Sequence, residues 1–76
     1  MIRYFFDCVA TDRSLYDYKG SEFPNLEAAR DFAEAMAQNL RDSLNNEWIA
    51  WSIDVRSAEG KRLITLPIGH AVPIAA

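Results

Sequence analysis

The stretch PNLEAARDFAEAMAQNLRDSLNN, residues 24–46, narrows the possible folds of this chain more than any other segment. Leu26, Ala29, Ala33, Met36, Ala37, Leu40 and Leu44 recur at spacings of three and four, which a helix of 3.6 residues per turn gathers along one side. Asn25 can cap the first turn with its side-chain oxygen, with Pro24 just outside, and Asn45-Asn46 offers a stop because Asn tolerates the left-handed conformation. Glu27, Arg30, Asp31, Glu34, Gln38, Arg41 and Asp42 fill the rest of the circumference, and Glu27 and Glu34 can each pair with Arg30 across one turn. The spacing predicts a helix over about 25–46, solvated on one side and apolar on a single stripe. Such a stripe must be laid against another element.

The flanking segments supply that element. After the helix, EWIAWSIDVRSAEGKRLITLPI alternates: Trp51, Ile53 and Val55 point one way, Ser52, Asp54 and Arg56 the other. A loop Ser57-Ala58-Glu59-Gly60, with Gly60 left-handed, sets Ile53 opposite Ile64 and Trp51 opposite Leu66, and Ile68 extends the same face. Pro67 removes a backbone donor, which marks the last strand as an edge or as ending there. Before the helix, residues 2–10 and about 14–18 flank the polar cluster Thr11-Asp12-Arg13 and read as a hairpin, followed by a tight turn from Asp17 to Gly20.

The fold class is therefore α+β with the order β-β-α-β-β: a four-stranded antiparallel sheet with one long helix on one face. Its 76 residues form a single domain, divided into a first hairpin and turn (1–23), the helix (24–46), a second hairpin (47–69) and a tail (70–76). Half of the residues are apolar, a globular composition, yet a chain this short buries only about 60–65% of its unfolded surface. In this arrangement Tyr4, Phe6 and Cys8 join Trp51, Ile53, Val55, Ile64 and Leu66 under the helix, and Phe5 and Val9 face the open side. With Tyr16 and Tyr18 beside them, these make the candidate interaction surface Phe5, Val9, Tyr16 and Tyr18.

Chemistry-bearing residues are few. The lone Cys8 has no second cysteine for a disulfide and no nearby base for nucleophilic work, and it reads as a small buried apolar residue. The lone His70 falls in the tail, and one His with one Cys lacks the spacing of a tetrahedral metal site. No catalytic, cofactor-binding or metal-binding residues are expected, and the eleven carboxylates are assigned to solvated surface. The net charge of −3 contains no basic stripe for a phosphate backbone, which argues against nucleic acid. No stretch approaches the roughly 20 apolar residues of a membrane span, and the apolar start is interrupted by Asp7, so no membrane contact and a cytoplasmic location are expected.

Arg3-Tyr4-Phe5-Phe6, the Asp17 to Gly20 turn, Glu22-Phe23-Pro24-Asn25-Leu26 with Ala29, Trp51 to Val55, Gly60, and Ile64 to Pro67 together resemble a family of small proteobacterial proteins known only as a domain of unknown function. The resemblance covers nearly the whole chain; many members carry His where this chain has Asp7. It implies this fold and no activity. The expected function is a non-catalytic protein-interaction module that self-associates as a homodimer. The alternatives are an antitoxin-like module that binds an unidentified protein partner and, less favoured because a pocket would consume much of so small a core, a small enzyme.

Overall fold

The computed structural model describes residues 1–43 and 46–69. Strand β1 (Ile2–Val9) is followed by two short strands, β2 (Ser14–Leu15) and β3 (Ser21–Phe23), then helix α1 (Leu26–Arg41). A 3-10 helix (Asn46–Ala50) leads into β4 (Ser52–Ser57) and β5 (Arg62–Pro67). All pairings are antiparallel: β2 and β3 both lie along the outer edge of β1, β4 along its inner edge, and β5 beyond β4. The α+β class and the element order stand as expected, with the second arm of the first hairpin broken in two and the strand expected over 14–18 reduced to Ser14–Leu15.

Helix α1 begins as its sequence dictates. The Asn25 side-chain oxygen accepts the Ala28 amide at 2.9 Å, closing one of the open donors of the first turn. Its end differs from the expected 46: the helix stops at Arg41. The Ser43 amide and hydroxyl both donate to the Leu40 carbonyl, at 3.2 and 2.8 Å, tightening the last turn into an i to i−3 pattern. Leu44 and Asn45 lie outside the described residues. Of the two ion pairs expected at Arg30, the one with Glu34 forms, at 3.6 Å.

Ala29, Ala33 and Ala37 are the buried stripe of α1, and their small side chains let the helix backbone settle close onto Tyr4, Phe6, Ile53, Val55 and Ile68. Met36, Leu40, Cys8, Leu63, Ile64 and Leu66 pack around this core half-buried. Phe32 was not part of the expected stripe, yet it joins Phe6 and Phe23 in a cluster of tilted and edge-on rings, with centroids 5.1 to 5.8 Å apart. Trp51 was expected under the helix beside Ile53; it precedes β4, stays half-exposed and packs its ring against Trp48 at 5.2 Å. The reason is the 3-10 helix, which turns the chain just before β4 and brings both indoles to the end of the core.

The register of the second hairpin also corrects the expectation. Ile53 faces Leu66 and Val55 faces Ile64. Ser57 pairs with Lys61, whose carbonyl accepts the Ser57 amide at 2.8 Å, which shortens the loop to Ala58-Glu59-Gly60 and slips the pairing by one residue. A bulge at Val55/Arg56, with Leu63 as the extra residue of β5, slips it by one more. A single slip would have turned Ile64 and Leu66 to the wrong face; two restore it. Gly60 takes φ +91° and Gly20 φ +73°, as their turns require.

Candidate functional site

The face of the sheet opposite α1 carries the molecule's concentration of paired charge. Alternation puts Arg3, Phe5, Asp7 and Val9 of β1 on this face, with Ser52, Asp54 and Arg56 of β4 and Arg62, Thr65 and Pro67 of β5. Cross-strand pairing then sorts them into rows. Asp7 lies opposite Asp54, which lies opposite Thr65; in the next row Phe5 lies opposite Arg56, which lies opposite Arg62. An acidic row and a basic row therefore run side by side across the strands.

Asp7 is only 3% exposed although it belongs to the open face. Arg56 grips it with two hydrogen bonds, Nε to Oδ2 at 2.7 Å and Nη2 to Oδ1 at 3.1 Å, and the Asp17 amide donates to Oδ1 at 2.9 Å. These three donors give both oxygens of the buried carboxylate a partner, without which burying the charge would be prohibitive. In return the Asp7 hydrogen bond, reinforced by the Asp7 and Asp17 charges against a desolvation cost, raises the Arg56 pKa above its ordinary value. Asp54 accepts the Thr65 hydroxyl at 2.8 Å and pairs with Arg62 at 3.3 Å.

The cover of Phe5 is this same network. The Arg56 guanidinium lies 4.8 Å from its ring centroid, a cation–π stack, and Gly20 packs against the ring edge so closely that an added Cβ would come to 2.9 Å of it. Phe5 is half-buried, and so is Val9. Tyr16 and Tyr18 are the exposed members of the expected surface, at 57% and 87%. Val9 and Tyr16 line one shallow recess of about 210 Å³ together with Ser14, Asp7, Asp54, Arg56, Gly60 and Arg62. The structure thus brings Val9 and Tyr16 together around a charged floor that separates them from Phe5.

Residues assigned to solvated surface turn out to be central. Asp7, Asp17 and Arg56 are 10 to 49 positions apart in sequence, and no spacing rule joins them. The one sequence signal was Asp7 itself, a carboxylate inside an apolar strand. Cys8 faces the core half-buried; burial, with the Asp7 charge second, raises its thiol pKa, which suits a packed residue rather than a nucleophile. His70 lies outside the described residues. Among the described residues no group of three or more His, Cys, Asp or Glu side chains is placed to hold a metal ion, and no helix is long and apolar enough to cross a membrane.

A family model described as Domain of unknown function (DUF6894) matches residues 3–69, which take in the helix and all five strands except Ile2 of β1. No curated protein and no solved structure matches the chain.

Proposed function

The chain belongs to the DUF6894 family, and we propose that it acts as a non-catalytic protein-interaction module that pairs with a second copy of itself through the open face of the sheet. The observation that carries this reading is the pair of adjacent rows of opposite charge, Asp7 with Asp54 and Arg56 with Arg62. A two-fold axis lying between the rows and parallel to them sets Asp54 of one copy over Arg56 of the other and Thr65 over Arg62, with Asp7 kept inside its own pair, so the face offers polar partners to a second copy of itself. Exposed Tyr16, on the rim of the recess, and Tyr18, further along the same segment, supply the aromatic area that interfaces favour. The other face is already covered by α1.

The carboxylates of this face are engaged by arginines, a threonine hydroxyl and backbone amides, an arrangement that suits a docking surface better than acid–base chemistry. Light scattering tests the reading. At low salt the wild type is expected to scatter as twice the 8.6 kDa of the chain, and Arg62→Glu, which reverses one exposed end of the basic row without touching the core, is expected to shift it toward the monomer. A wild type that stays at the monomer mass at about 0.5 mM, well above the Kd of a weak specific dimer, overturns the proposal.

A further inference from the structure

Between β2 and β3 the chain leaves the sheet for residues 16–20, and the outer edge of β1 opposite them has no strand partner. Asp17 stands in for the missing strand. Its carboxylate accepts the Phe6 amide of β1 at 3.1 Å on one oxygen, and the Lys19 and Gly20 amides, each at 3.0 Å, on the other. Its own amide donates to Asp7 and its carbonyl accepts Arg56 at 3.2 Å. Beyond the Arg3 bond to the Lys19 carbonyl and the packing of Gly20 on the Phe5 ring, little apolar contact holds the segment: Tyr16 and Tyr18 are exposed, and no core residue falls between Val9 and Glu22.

We propose that Tyr16–Gly20 is a latch held shut by the Asp17 carboxylate, and that loss of this negative charge swings the segment off β1 while the helix and the rest of the sheet stay folded. Opening removes the hydrogen-bond circuit and leaves the apolar core untouched, which is the condition for a local opening separate from global unfolding. An amide side chain cannot serve all three amide donors, because its nitrogen accepts nothing, and a protonated acid loses the charge that strengthens all three bonds and offers a weaker hydroxyl acceptor at one oxygen. Of the charged groups on neighbouring elements, Asp7 of β1 and Arg56 of β4 bond Asp17 directly; the Arg3 guanidinium of β1 bonds the Lys19 carbonyl and Glu22 of β3 at the end of the segment, and Tyr16, Tyr18 and Lys19 are the other titratable side chains of the segment itself.

Burial pushes the Asp17 carboxyl up, but the Gly20, Phe6 and Lys19 amides and the Arg56 charge together hold it below its ordinary value. Because the folded value is the lower one, the closed latch has its full stability above the unfolded aspartate value of about 3.9 and loses it as pH falls through the folded value. The open state bares the Phe6 amide and the Phe5 ring, an unpaired strand edge of the kind that accepts another strand.

The test uses the bond after Lys19, an exposed residue whose backbone is held by the Asp17 and Arg3 hydrogen bonds; trypsin is expected to cut it faster once the segment is free. Wild type, Asp17→Asn and Asp17→Ala are compared at pH 8, at a concentration where all three scatter as the same mass, so that the outcome does not depend on self-association. Cleavage at Lys19 is expected to be at least about tenfold faster in both variants, since the loss of even one charge-assisted hydrogen bond shifts an opening equilibrium by that factor. Amide exchange at Ile53 and Val55 is expected to stay as slow as in the wild type. In wild type titrated from pH 6 to pH 3, the Phe6, Lys19 and Gly20 amide resonances are expected to move together. Unchanged cleavage in the variants overturns the proposal, as does loss of protection at Ile53 and Val55 in step with Phe6.

Discussion

Strands β4 and β5 pair from Ser52–Pro67 to Arg56–Arg62 with a single bulge at Val55/Arg56, whereas the arm on the other side of β1 is two fragments, Ser14–Leu15 and Ser21–Phe23, with the Asp17 carboxylate in the gap. The two hairpins extend the same sheet by different means. The second is anchored by apolar side chains under the helix, Ile53 and Val55 fully buried with Leu63, Ile64 and Leu66 around them. The first is tied down at its middle by the circuit of Asp17, Asp7 and Arg56. Apolar anchoring does not depend on protonation or on charge screening; a charged circuit does. The comparison teaches that a carboxylate can replace strand backbone as the acceptor of a ladder donor, at the cost of making that edge conditional.

The largest blow to the second hairpin is Ile53→Ala. The site is fully buried and hemmed in by the helix, so the lost contacts and the residual cavity are expected to cost about 4 kcal/mol in urea unfolding, a large share of the stability of so small a domain. Arg56→Ala strikes the first hairpin next. It strands the Asp7 charge, and because Arg56 is partly exposed and water can enter where it stood, the expected loss is near the lower end of the range for broken buried pairs, about 3 kcal/mol. Replacing Asp7 and Arg56 together with Leu and Met is expected to recover part of this. If the double variant is less stable than Arg56→Ala, the circuit acts through shape and not through charge.

Two glycines sharpen the contrast with smaller effects. Gly60→Ala places a side chain at φ +91° in open space, so backbone strain alone should apply, about 1 kcal/mol. Gly20→Ala suffers similar strain and also drives a Cβ to 2.9 Å from the Phe5 ring and from the Tyr4 carbonyl. Thermal unfolding is expected to rank it clearly below Gly60→Ala, by about 1 kcal/mol or more, as overpacking at a rigid site does. Equal melting temperatures for the two would mean that the turn lifts away from Phe5 at little cost.

What the amino-acid sequence determined by itself was everything that repeats locally. The entry of α1 at Asn25, its alanine stripe, the alternation of β4, the left-handed turns at Gly20 and Gly60, and the placing of Phe5 opposite Tyr4 and Phe6 follow from periods of two and 3.6 and from the backbone freedom of glycine. Tertiary structure alone decided which residues meet. The double slip that keeps Ile64 and Leu66 on the core, the joining of Phe32 to Phe23, and the convergence of Asp7, Asp17 and Arg56 all depend on register between distant segments. Register is set by packing and turn geometry summed over the whole sheet, and a one-residue change in it exchanges every partner. Asp7 shows the difference most plainly: its position in an apolar strand was visible in the sequence, but a buried carboxylate is tolerable only with its donors in place, and those arrive from Arg56 and Asp17 when the sheet closes.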